Sequence, residues 1–126
     1  MMVKGEQKQE IKLDLNYLKN NSGGNPSFLK EVIESYLKNE PVYISELQGK
    51  LKSRDSNGVA FYCHKIKANF SIIGAADATL FINEINQLDL LHINEKAIAQ
   101  YIHSLQKLHM HIKNELSEEL NKLKTN

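Results

Sequence analysis

Cysteine occurs once in the 126 residues, as Cys63, so no intrachain disulfide can form. A small secreted fold stapled by disulfides is thereby excluded. Proline occurs twice and glycine six times, so turn punctuation is sparse. No apolar run approaches the ~20 residues needed to span a bilayer. The polar stretch from Met1 to Glu10 lacks the apolar core of a signal peptide. Neither sign of charge dominates: Lys plus Arg is 16, Asp plus Glu is 15, and the net charge is +1 with histidine neutral. A dedicated nucleic-acid binder carries a basic patch and a high pI. The expectation is a soluble, cytoplasmic protein that binds neither nucleic acid nor membrane.

What is present is an ordinary supply of apolar residues, 41%, and a well-charged surface, 25%. That composition and length fit one domain with one core. Residues 1–9 read as a flexible N-terminal tail and 10–126 as a single helical domain. A short amphipathic piece, Leu13 to Lys19, leads into the loop Asn20-Asn21-Ser22-Gly23-Gly24-Asn25-Pro26. Asn25 suits a helix cap, and Pro26 suits the first helical position, where a missing N–H costs nothing. From Pro26 to Asn39 the residues Phe28, Leu29, Val32, Ile33, Tyr36 and Leu37 recur by threes and fours, which predicts a helix that buries them. Pro41 is expected to break or redirect it. A second run, Val42 to Lys52, carries Ile44, Leu47 and Leu51, with Gly49 inside it. Asp55 or Ser56 caps a third helix, which stops near Gly74. A fourth, Ala76 to Leu88, carries Leu80, Phe81, Ile85 and Leu88. The last starts near Asn94 and runs past Leu116 on a stripe of Ile98, Tyr101, Ile102, Leu105, Leu108, Ile112 and Leu116. No segment reads as a strand and no repeat is visible. Short loops between amphipathic helices predict an all-α fold, an antiparallel bundle.

The stretch from Phe61 to Gly74 carries the chemistry. With His64 at the origin of a helical wheel, Val59, Cys63, Ile66, Phe70 and Ile73 gather roughly opposite, Tyr62 at their margin. They form the core stripe. Ala60, Phe61, Lys67, Ala68 and Ser71 fall within about 60° of His64. The histidine therefore points outward among mostly small neighbours. A neutral imidazole has a lone pair on one ring nitrogen and can attack phosphorus. Lys67, one turn on, can set an ammonium beside phosphoryl oxygens, and positioning with charge stabilisation is most of what a protein supplies to phosphoryl transfer. Ser71 can donate a hydrogen bond to that group or hold the ring. Lys65 is a further candidate for the phosphate environment. Cys63 is turned away by about 100° and reads as a small core residue.

At these residues the chain resembles the histidine-containing phosphotransfer (HPt) family. The family motif is a histidine, any residue, an apolar residue, lysine and a small residue, with a glycine about two turns later. Here it reads His64, Lys65, Ile66, Lys67, Ala68 and Gly74. The upstream segments Leu15-Asn16-Tyr17-Leu18 and Gly23-Gly24-Asn25-Pro26-Ser27-Phe28-Leu29 also look like the family's N-terminal helix and loop. The resemblance covers roughly residues 13 to 110. It implies an antiparallel four-helix bundle with an additional N-terminal helix. It implies His64 as phosphoacceptor and Lys67 as the phosphate-facing lysine. On the wheel, Ala60, Phe61 and Ala68 share the His64 face and are candidate partner-docking positions, with core packing the alternative for Phe61. The implied partners are response-regulator receiver domains, and a hybrid sensor kinase. His64 would accept the phosphoryl group of one receiver's aspartate and pass it to another receiver. The domain itself would need no cofactor, the Mg²⁺ residing on the receiver. Two departures stand out. Ala68 occupies a position that is usually glycine. Asn86-Gln87-Leu88 stands where many members have Leu-Glu, and an amide there can still reach the imidazole.

The alternative is a helical module that binds receiver domains without phosphotransfer. No nucleotide-binding motif is visible, so the phosphotransfer intermediate that the resemblance implies is expected to lack ATP-dependent kinase activity of its own. No metal site is expected. His92, His103, His109 and His111 lack the spacing of four that suits a metal, and His109 and His111 lie on nearly opposite faces. A monomer is expected.

Overall fold

The structure, a computed structural model, describes residues 13, 15–21 and 23–125. The expected tail, residues 1–9, lies outside them. The described residues form five helices and no strand: α1 Leu15–Asn21, α2 Pro26–Lys52, α3 Ser56–Ile72, α4 Ala76–Asn86 and α5 Glu95–Thr125.

α2 begins as its sequence directs. The Asn25 side-chain oxygen accepts from the backbone N–H of Ser27 at 2.9 Å and of Phe28 at 3.3 Å, and Pro26 occupies the first turn. The expected break at Pro41 does not occur; one helix of 27 residues runs through it. The apolar stripe explains why. Ile33, Tyr36, Glu40, Ile44, Leu47 and Leu51 are all buried and continue the three-and-four spacing across the proline. Pro41 itself is exposed, so water can serve the carbonyl that its missing N–H leaves unpaired. Phe28 also departs from expectation. It lies 47% exposed and lines a cleft of about 260 Å³ with Val32, Tyr36, Asn69 and Ile72.

α3 is capped by Asp55, whose Oδ1 accepts from the Gly58 N–H at 2.9 Å. It stops where expected. Gly74 takes φ +72°, a conformation glycine adopts without a Cβ penalty, and the Ala75 N–H returns to the Phe70 carbonyl at 2.9 Å. α4 buries Ala78, Phe81, Ile82 and Ile85. Leu80, expected on its apolar stripe, points to solvent at 63% exposure. The stripe is instead completed by Ala78 and Ile82, which puts Leu80 on the other side. Asn94 caps α5, accepting from the Ala97 N–H at 2.8 Å, and Ile98, Tyr101, Ile102, Leu105, Ile112 and Leu116 are buried along it.

α2 packs against both α3 and α5, and α3 packs against α4. The connections are tied as well. Arg54, in the turn between α2 and α3, holds φ +57° and donates from Nη1 to the carbonyls of Leu90 (2.8 Å) and Ile93 (2.6 Å) in the loop before α5. Lys19 of α1 pairs with Glu119 of α5 at 3.4 Å. α3 is thus held between α2 and α4, one stripe buried and the opposite crest in water.

Candidate functional site

The crest of α3, where the sequence places its candidate residues, is the candidate site. Val59, Cys63, Ile66 and Phe70 are buried at 2% exposure or less, and Ile73 beyond the helix end is buried with them. The stripe fixes the rotation of the helix, and the opposite residues follow: Ala60, Phe61, His64, Ala68 and Ser71 are all exposed. Among the described residues the His64 imidazole makes no hydrogen bond or ion pair. Its ring nitrogens are left to solvent.

The two lysines leave the crest in opposite directions. Lys67 leans toward α4, where its Nζ donates to Asn83 Oδ1 at 2.8 Å in a partly buried bond. Lys65 leans toward α2. Its ammonium lies 5.5 Å from the centre of the Tyr43 ring and 5.0 Å from that of Phe61, within the range of cation–π attraction. Phe61 in turn meets Tyr62 edge-on at 5.0 Å, and the Tyr62 hydroxyl donates to Glu46 of α2 at 3.3 Å. Ser71 spends its hydroxyl on its own helix, donating to the Lys67 carbonyl at 3.1 Å. His64 thus sits on an open ridge with a cation to either side, and small side chains at Ala60 and Ala68 one turn away.

No family model, no curated protein and no solved structure matches this sequence.

The fourth helix reaches the site through a residue that sequence reasoning passed over. Neither Asn86 nor Gln87 bonds to His64; both are exposed. The amide that arrives is Asn83, one turn earlier, and it meets Lys67 rather than the imidazole. The signal in the sequence is that Asn83 and Asn86 are three apart and share a face, but the register of α4 against α3 decides which one makes contact.

Cys63 is confirmed as a core residue. It is fully buried, and burial pushes its thiol up to about 12, with the Lys67 ammonium pulling weakly the other way. A thiol held so high supplies little thiolate at neutral pH. Below the crest lies a polar pocket in the core. Glu40 of α2 is fully buried, and its Oε2 accepts from Asn69 Nδ2 of α3 at 3.2 Å. Burial pushes its carboxyl up to about 7, with the Asn69 hydrogen bond opposing. Burial and the nearby Glu40 hold the Tyr36 phenol above its usual range. Among the described residues no group of three or more His, Cys, Asp or Glu is placed to hold a metal ion. His92 instead bonds Asp89 at 2.7 Å, which holds that carboxyl below its usual range, and burial lowers His109. Among the described residues no helix is long and apolar enough to cross a membrane.

Proposed function

We propose that the chain is a phosphorelay carrier of the histidine-containing phosphotransfer type, with His64 as phosphoacceptor. The observation that carries this reading is an exposed, unpartnered imidazole on a helical ridge, flanked by small side chains, with an ordered ammonium one turn away. Each feature answers a need of the chemistry. A free ring nitrogen attacks phosphorus, and its bond to phosphorus forms as the acyl-phosphate P–O bond of a receiver's aspartate breaks. The aspartate carboxylate leaves with the electron pair. The reverse step hands the phosphoryl group to a second receiver. The ridge admits a receiver pocket, since only methyl and hydroxymethyl groups stand at Ala60, Ala68 and Ser71. Lys67 faces the phosphoryl oxygens. Mg²⁺, which the receiver holds, supplies further neutralisation of charge.

The same proposal covers the arrangement of the helices: α2 to α5 as an antiparallel four-helix bundle, with α1 added. Two contacts between α2 and α3 support it. Glu46 pairs with Tyr62 and Glu40 with Asn69, so one chain number falls as the other rises. Phe61 and Lys65 would belong to the face that docks the receiver, working as a monomer in the cytoplasm.

The test is incubation with a receiver domain carrying a labelled phosphoryl group. Label that moves to this chain supports the carrier role. Stable binding without transfer of label replaces it with a non-catalytic receiver-binding module.

A further inference from the structure

The charge pattern around His64 has a feature that the motif does not contain. α3 has no Asp or Glu anywhere between Ser56 and Ile72, although the chain has 15 acidic residues. Its two lysines are both ordered by neutral partners. Lys65 rests on the Tyr43 and Phe61 rings, and Lys67 donates to an amide oxygen. Among the described residues neither makes an ion pair. The positive charges on the two sides of the crest are therefore held by neutral partners and not cancelled.

We propose that Asn83 is a positioning residue, whose neutral amide holds the Lys67 ammonium on the α4 side of the His64 crest so that an incoming phosphoryl group meets an ordered and undiminished cation. This rests on the phosphotransfer role proposed for His64. A lysine on an open helix face samples many rotamers, and its charge is smeared over them. The 2.8 Å bond selects one. An ammonium has three donors; Asn83 takes one and leaves two for phosphoryl oxygens. The choice of amide over carboxylate matters. An aspartate at the same place would hold the lysine at least as firmly, but would answer its charge, and an anion arriving at His64 would then meet a neutral pair. Binding of the lysine and support for phosphotransfer thus call for opposite residues at position 83, which separates a positioning role from a structural one.

The experiment uses phosphoramidate as a small phosphodonor, so that no cognate receiver is needed. The imidazole nitrogen forms its bond to phosphorus as the donor's P–N bond breaks and ammonia leaves. The rate of phosphohistidine formation is followed by intact mass and phosphorus NMR, and stability by urea unfolding. For Asn83→Asp the expected result is unchanged or higher stability with phosphorylation slowed by roughly tenfold or more. For Asn83→Ala the loss is smaller. In a Lys67→Ala background Asn83→Ala adds no further loss, because Asn83 acts through Lys67. Wild-type protein that gains no phosphohistidine removes the role of His64, and this inference with it. Wild-type protein that is phosphorylated, with Asn83→Asp equally fast, leaves His64 in place and overturns the role of Asn83 alone. A further loss from Asn83→Ala in the Lys67→Ala background also overturns it.

Discussion

Glu40 shows what a single residue costs when a helix stripe passes through a polar position. It occupies a core place between Tyr36 and Ile44, fully buried, with one oxygen on Asn69 and the other, Oε1, without a hydrogen-bond partner. A buried carboxyl favours its neutral form. The sign of the linkage follows. The folded state keeps the proton up to about pH 7, whereas the unfolded chain gives it up near 4.5. The folded state therefore binds more protons in that window, and stability falls as pH rises through it. Carrying the folded-state value from 4.5 to about 7 corresponds to on the order of 3 kcal/mol. Urea unfolding at pH 5 and pH 8 should show this loss in the wild type and a much flatter profile for Glu40→Gln, which keeps an acceptor for Asn69. Equal pH profiles for the two proteins contradict the assignment. Residue-scale legibility was uneven in the same way. The outward place of His64 and the buried place of Cys63 follow from one helix's own periodicity, and the sequence sufficed for both. Asn83 on Lys67 and Glu40 on Asn69 each join two helices. Such pairs depend on interhelical register, which no single periodicity contains.

At the scale of the element, α2 and α4 mark where local signals and packing disagree. Pro41 carries a strong breaking propensity, yet the spacing across it outweighs the lost backbone bond, because it buries Leu29, Ile33, Tyr36, Ile44, Leu47 and Leu51, with Glu40 among them, in one continuous face. Leu80 lies opposite the buried face of Ala78, Phe81, Ile82 and Ile85, and Phe28 lies off the face of Leu29, Ile33 and Tyr36, so the packed face of each helix leaves them exposed. The capping signals were more legible. Asn25, Asp55, Asn94 and Gly74 all act where their chemistry directs, since caps are satisfied within a few residues of chain. Gly49 offers a direct check on α2. It sits in the last part of the helix, on an exposed position, and a Cβ built there meets nothing within 4 Å. Gly49→Ala should therefore raise stability by ~0.5–1 kcal/mol, through reduced freedom of the unfolded chain and better helix propensity. Thermal and urea unfolding read this out. A destabilised variant contradicts a continuous, unstrained helix at this point.

For the whole molecule, the packing of α3 between α2 and α4 turns a near-neutral chain into one with a locally cationic ridge. Access to that ridge is the remaining requirement of the proposed role. Ala68 is exposed one turn from His64, so bulk added there meets no core side chain. Ala68→Trp should leave stability within about 0.5 kcal/mol, as for most surface changes. It should nonetheless slow transfer from a receiver ~100-fold, because a misplacement of ~1 Å is enough for such a loss. Transfer at the wild-type rate would mean that partners approach over another face. The central claim concerns His64 itself, and the most direct measurement is the site of phosphorylation after incubation with a phosphorylated receiver. Peptide mapping of the wild type should locate one acid-labile, base-stable phosphoryl group on His64. A folded His64→Gln protein should carry none. Label that persists on His64→Gln, or that maps to another residue of the wild type, contradicts the account.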